Sequence, residues 1–252
     1  MTGRVGDVAN RSVILTYHSL DTSNSVISFP PDLFREHMAR LAESGAPVVG
    51  LPEVCSVPGS IAITFDDAYG SFLSHAMRWL TEYNFPATVF VVSGYCGRTN
   101  DWETQPSGIP RMPLMSWDDI RSLPHQRIQI GAHTVNHPDL TRLQDHEIEA
   151  ELRDCRHQIE DRAGVAVETL AYPYGRCSPG VRAIARGEYR IACGTRMGLA
   201  QEASDRWELP RVDAYYLRSR FQPVDLLTPG GRAYVHTRAA LRRARSWVAR
   251  GV

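Results

Sequence analysis

The chain has 252 residues, enough for one sizeable core, and its 43% hydrophobic and 22% charged residues are ordinary for a globular protein in water. Arginine supplies all 28 cations, balanced by 28 carboxylates to a formal net charge of +0, so no global field draws the chain to nucleic acid or an anionic membrane. The complete absence of lysine also excludes a lysine Schiff base.

Residues 1–10 are polar and lead directly into an apolar strand, so no secretory signal is expected there. No apolar run approaches the roughly eighteen residues that a membrane-crossing helix needs. Cys55, Cys96, Cys155, Cys177 and Cys193 are scattered, odd in number and never spaced C-x-x-C. They read as free thiols in a reducing compartment, which predicts a cytoplasmic protein.

Taken in chain order, candidate strands cover 12–17, 47–51, 60–65, 87–92, 127–132, 168–172, 189–193 and 208–212. Candidate helices cover 31–44, 69–83, 117–123, 145–163, 179–186 and 232–250. Ser116 is placed to cap the helix at Trp117, Ser178 with Pro179 starts another, and Gly45 and Gly164 end two more. Regular alternation of strand and helix predicts an α/β fold with a parallel sheet. A closed barrel and an open doubly wound sheet fit the pattern equally. The Gly- and Pro-rich loop 93–115 and the segment 195–206 are long. No repeat or linker divides the chain, so 1–252 reads as a single catalytic domain, with a core over 12–215 and a basic terminal helix.

Polar residues gather where the strands end. Asp66 and Asp67 follow one strand; His133-Thr134-Val135-Asn136-His137 follows a second, and Tyr172-Pro173-Tyr174-Gly175 a third. Parallel α/β folds put their active sites at such C-terminal ends. Two adjacent carboxylates are costly there without a positive partner. One carboxylate and two imidazoles make three N/O ligands with a fourth position left for water, the pattern of a catalytic zinc site. A helical turn would put His133 and His137 on one side. The remaining aspartate is then a general base.

Thr64-Phe65-Asp66-Asp67, the His133–His137 segment and Tyr172-Pro173-Tyr174-Gly175 resemble the three motifs of the NodB-homology, or polysaccharide deacetylase, family (carbohydrate esterase family four). Leu15-Thr16-Tyr17-His18, Pro86-Ala87-Thr88-Val89-Phe90 and Leu114-Met115-Ser116-Trp117 extend the resemblance, which reaches to about residue 195. It implies a distorted, incomplete (β/α) barrel of about seven parallel strands that holds one divalent ion, usually Zn2+. By position, Asp66 is the general base and Asp67, His133 and His137 are the metal ligands. Thr134 would orient that shell, the Tyr174 backbone N–H would serve the oxyanion, and Tyr172 and Pro173 would shape the groove wall.

The chain departs from the family pattern in three places. Ala68 replaces the usual glycine, a change expected to be tolerated at negative φ. Ala171 stands where the third motif has an arginine; Arg211 is the expected substitute, with Asp213 as its partner. The family's late L-x-H acid has no match, which leaves His18, on the same rim, and His236 as candidates. Trp102 and Trp117 border the long loop and are candidates for stacking on a sugar. The terminal helix carries an apolar stripe of Tyr234, Leu241, Trp247 and Val248; packing on the barrel is its default use, and peripheral membrane contact is the alternative.

The expected reaction is hydrolysis of the acetamide of an N-acetylated amino sugar on a polymer, a glycolipid or a small molecule. The rivals are an O-acetyl esterase, another C–N hydrolase acting on a non-sugar amide, and a catalytically silent carbohydrate-binding protein.

Overall fold

The structure, a computed structural model, describes residues 11–218 and 221–248, with the side chains of the last helix described to residue 244. The expectation about residues 1–10, and the Trp247 and Val248 side chains of the apolar stripe, lie outside the described residues.

Seven parallel strands close into a barrel: β1 (Val13–Tyr17), β2 (Ile61–Phe65), β3 (Ala87–Val91), β4 (Ile128–Ala132), β5 (Thr169–Ala171), β6 (Ile191–Met197) and β7 (Leu209–Asp213). Val13 to Tyr17 pair in register with Ile61 to Phe65, and Leu15 with Val212 and Thr16 with Asp213 close the ring. The barrel is thus incomplete in strand number only, one short of the eight-stranded form, and has no open edge.

Alternation along the strands sorts side chains between two layers. Val13, Leu15 and Tyr17 of β1 and Ile61, Ile63 and Phe65 of β2 face outward into the helix-covered core. Ile14 and Ala62 face inward, with Phe90, Ala171, Cys193 and Leu209. The barrel is too narrow for bulk at every inward position. A Cβ on Gly131 would lie 2.5 Å from the Phe90 ring, so glycine is required there. Continuing each inward row past its strand end brings His18, Asp66 and His133 to one rim.

The surrounding helices are α1 (Pro31–Ser44), α2 (Met77–Glu82), α3 (Trp117–Arg121), α4 (Asp145–Ala163), α5 (Pro179–Glu188) and α6 (Pro229–Val248). Helix α1 buries Phe34, His37, Met38 and Leu41, a stripe at three- and four-residue spacing, and ends at Gly45 with φ 65°. Helix α4 buries Ile148, Leu152, Cys155 and Ile159 in the same way and ends at Gly164. Ser116 accepts a hydrogen bond from the Asp119 N–H and Ser178 from the Val181 N–H, so both predicted caps form.

Several expectations differ from the fold. Strand β6 runs to Met197, into the segment 195–206 expected as a loop. Segment 47–51 contributes only a bridge, Val48 to Ile61, because Pro47, Gly50 and Pro52 interrupt it. The 69–83 helix begins at Phe72 as a π-helical turn before α2. Helix α3 stops at Arg121, two residues early. A two-stranded sheet, Ser19–Leu20 with Ser28–Phe29, was too short to leave a periodic signal. Helix α6 packs on the barrel side as expected: Val235 is buried, and the Tyr234 hydroxyl donates to Tyr216 O at 2.7 Å. Leu241 of the same stripe is exposed. Among the described residues, no helix is long and apolar enough to cross a membrane.

Candidate active site

Asp66 follows β2 and turns into the barrel mouth, where it is 2% exposed. Arg211 of β7 donates from Nη1 to Oδ1 and from Nη2 to Oδ2, both at 2.7 Å, while its Nε donates to Gly194 O at 2.9 Å. Such a two-pronged contact is the strongest geometry open to a guanidinium and a carboxylate. Burial pushes the Asp66 carboxyl upward, but Arg211, then His133 and His18, outweigh it and hold the group below the usual range. Arg211 therefore supplies the expected guanidinium. Its partner is Asp66 rather than Asp213, which instead accepts the Tyr215 N–H at 2.9 Å.

Asp67 lies beside it under a different constraint. Its Oδ1 is buried without a hydrogen-bond partner, 3.3 Å from His133 Nε2 and 3.4 Å from His137 Nε2. Burial opposes ionisation here too, yet the close approach of His133, then His137, keeps Asp67 well below the normal carboxylate range. The ligand atoms of Asp67, His133 and His137 all lie within 4.8 Å of one another. His133 Nδ1 is 2.7 Å from Ala171 O, so Nδ1 carries the proton and Nε2 presents a lone pair. Two neutral imidazoles and one carboxylate fit a divalent ion, and the orphaned Asp67 Oδ1 is what such an ion would satisfy.

His133 and His137 meet without the predicted helical turn. Thr134 and His137 have φ of 69° and 55°, and the Thr134 hydroxyl accepts the His137 N–H at 3.0 Å. That compact loop brings the ring centroids to 4.8 Å. Left-handed backbone recurs around the site: Asp67 at 68°, Ala68 at 57° and Tyr174 at 57° join them. Ala68 thus does not have the negative φ expected for it. Left-handed L-residues each cost about 1–2 kcal/mol, and their concentration at one rim is typical of a functional site.

Tyr174 follows β5, and its reversed backbone packs Gly175 against Thr195; a Cβ on Gly175 would meet Thr195 Oγ1 at 2.1 Å. The Tyr174 ring stands edge-on to His137, with centroids 4.7 Å apart. Its hydroxyl donates to Thr104 O at 2.8 Å, which fastens the long loop over the site. Asn100 stiffens the same loop: it donates to Tyr69 Oη at 3.0 Å and Pro110 O at 3.1 Å, and accepts the Met112 N–H at 2.6 Å. Neither Asn100 nor Thr104 was legible as a site residue, since a single polar residue in a Gly/Pro-rich loop carries no pattern.

The cavity at this rim is about 190 Å³ and is lined by His18, Asp66, Asp67, Trp102, His137 and Tyr174, among others. Val26, Ile27, Pro106 and Ile109 add an apolar lip. Tyr172 reaches the edge, but its hydroxyl turns away to donate to Trp207 O at 2.9 Å. Of the two candidate tryptophans, Trp102 lies in the site, its ring centroid 4.3 Å from that of His137. Trp117 does not: it stacks under the Arg162 guanidinium at 5.2 Å.

His18 and His236 are resolved in the same way. His18 lines the cavity, with Nε2 3.8 Å from Asp66 Oδ2. His236 is exposed on α6, with Nε2 3.1 Å from Arg11 Nη1, and is not part of the cavity lining.

A closed parallel barrel with its ionisable groups gathered at the C-terminal ends of the strands has them where barrel enzymes place their active sites. A sequence model described as polysaccharide deacetylase matches residues 54–188, more than half of the chain, and the chain belongs to that family. YxkH of Bacillus subtilis (strain 168), which bears the same family name, is 24% identical over 208 residues, covering 79% of this chain and 70% of its own. A chitin deacetylase of Colletotrichum lindemuthianum is 28% identical over 133 residues, or 52% of this chain and 49% of that one. Among solved structures, the Streptococcus pyogenes deacetylase PplD superposes with a TM-score of 0.72 at 23% identity, covering 87% of this chain and 97% of that one, and so shares the fold.

Proposed function

We propose that the protein is a metal-dependent N-deacetylase that hydrolyses the acetamide of an N-acetylated amino sugar to a free amine and acetate. The observation that carries this reading is the pair of adjacent aspartates in opposite states. Asp66 is saturated by Arg211, while Asp67 points an unpartnered oxygen at two imidazole nitrogens.

Asp67, His133 and His137 would hold the ion, and their N/N/O donor set suits Zn2+. When bound there, a divalent ion would lower the pKa of water toward about 7 and polarise a carbonyl oxygen. Asp66, kept ionised by Arg211, accepts a proton from the attacking water. The Tyr174 backbone N–H stabilises the oxyanion of the tetrahedral intermediate. His18 then protonates the departing nitrogen, without which an amine cannot leave. The small cavity with Trp102 on one wall suits one sugar ring and its acetyl group. The name of the Colletotrichum relative, a deacetylase of the acetamido polymer chitin, supports an acetamido sugar as substrate.

The test is acetate release from an N-acetylglucosamine glycoside before and after removal of divalent ions by a chelator. Activity that disappears on chelation and returns with Zn2+ supports the reading. Full activity in the ion-free protein, or hydrolysis of O-acetyl groups alone, would defeat it.

A further inference from the structure

A second concavity adjoins the catalytic cavity. It measures about 360 Å³ and is lined by Gly175, Thr195, Arg196, Met197, Arg242 and Arg243, with Ala239 completing the wall. Gly175 and Thr195 line the catalytic cavity as well, so the two spaces meet along one ridge.

The groove is cationic, and its cations come from different parts of the chain. Arg196 lies on β6; Arg242 and Arg243 belong to α6. None of the lining residues is acidic. Among the described residues, the Arg196 side chain donates to a backbone carbonyl, Glu208 O, at 3.5 Å, and the Arg242 guanidinium lies 5.6 Å from the Tyr216 ring centroid. In a protein of zero net charge, three guanidiniums around one hollow are a local excess rather than a sample of the whole surface. Guanidiniums brought to one hollow from two separate elements concentrate positive charge there, and guanidinium pairs well with phosphate. The hollow is too small for a polynucleotide groove and opens beside the place where the acetamide would react.

We infer that this arginine groove binds a phosphate carried by the substrate, so that the sugar is an N-acetylated glycosyl phosphate or diphosphate. The inference rests on the deacetylase reading. It places the acetamide in the catalytic cavity and the phosphate, on the neighbouring anomeric carbon, across the Gly175–Thr195 ridge. The basic face of α6 then serves the substrate. A nucleoside diphosphate sugar and a lipid diphosphate sugar share this chemistry.

The test compares binding of N-acetylglucosamine 1-phosphate and the neutral methyl glycoside to the Zn2+-loaded protein by calorimetry. The phosphate is expected to bind at least about tenfold more tightly at low salt, with the advantage shrinking near about 0.5 M salt. The R196Q/R242Q/R243Q variant should lose that advantage while binding the neutral glycoside as before. Should that variant not fold, R242Q alone and competition by inorganic pyrophosphate in the wild type make the same distinction. Uridine diphosphate N-acetylglucosamine and a short-chain prenyl diphosphate N-acetylglucosamine then separate the soluble from the lipid source. Equal affinities in the wild type, or a preference that survives the arginine substitutions, overturns the inference. Acetate release from the neutral glycoside reports separately on the deacetylase reading.

Discussion

Arg211 holds both carboxylate oxygens of Asp66 at 2.7 Å although 145 residues separate them in the chain. The pair ties β7 to the end of β2 across the barrel interior and fixes Asp66 as an anion. With both partners buried, removing one leaves a charge without compensation, at a cost of about 3–5 kcal/mol. Arg211→Met should therefore lose about that much stability, and Asp66→Asn combined with Arg211→Met should recover most of it. Urea unfolding of the wild type and the two variants checks this. An Arg211→Met protein as stable as the wild type would show that the contact is incidental.

His18 lines the cavity, with Nε2 3.8 Å from Asp66 Oδ2. An amine needs a proton to leave, whereas a nitrophenolate does not. His18→Asn is thus expected to slow acetamide hydrolysis by about 10²–10⁴-fold and to change 4-nitrophenyl acetate hydrolysis little, with metal content intact. Equal losses on both substrates would remove His18 from the role of acid.

Ala68 sits at φ 57°, buried, in the position where a glycine was expected. The left-handed penalty of about 1–2 kcal/mol is offset only in part by the lower unfolded-state entropy of alanine, about 0.4–1 kcal/mol. Ala68→Gly should stabilise the protein by roughly 0.5–1 kcal/mol, read as a rise in the urea midpoint. A lower midpoint would mean that packing of the methyl outweighs the strain.

His37 of α1 is fully buried, and its Nδ1 lies 2.8 Å from the Tyr17 hydroxyl. Burial pushes its pKa down from 6.5 to about 3. The unfolded chain therefore binds a proton that the folded one refuses. The neutral imidazole's contribution is complete above pH 6.5 and is lost as the pH falls from there toward about 3. Between pH 7 and pH 5 the loss should be about 2 kcal/mol. His37→Asn keeps an acceptor for Tyr17 but cannot titrate, so its stability should fall less over the same interval. Parallel urea curves at the two pH values for both proteins provide the measurement; identical slopes would contradict the assignment.

The sequence made the rim readable because strand alternation is local: once β1, β2 and β4 are recognised, His18, Asp66 and His133 must end on the same inward row. Helix caps at Ser116 and Ser178 were readable for the same reason. Ring closure between Leu15 and Val212 was not, since parallel pairing across about two hundred residues leaves no local mark. Nor was the choice between His18 and His236, which depends on where α6 docks. Ala68, Thr134, His137 and Tyr174 show the same limit. Their residue types argue against left-handed backbone, and tertiary constraints impose it. Asn100 acts through contacts that fold the long loop onto Tyr69, which leave no local pattern.

In the proposed site, Asp67, His133 and His137 converge on one ion while Asp66 stays free of it. Metal content measured with turnover on Asp66→Asn and His133→Ala tests this most directly. One Zn2+ per chain is expected in Asp66→Asn with turnover abolished, and neither metal nor turnover in His133→Ala. Undiminished turnover in Asp66→Asn, or full zinc in His133→Ala, would contradict it.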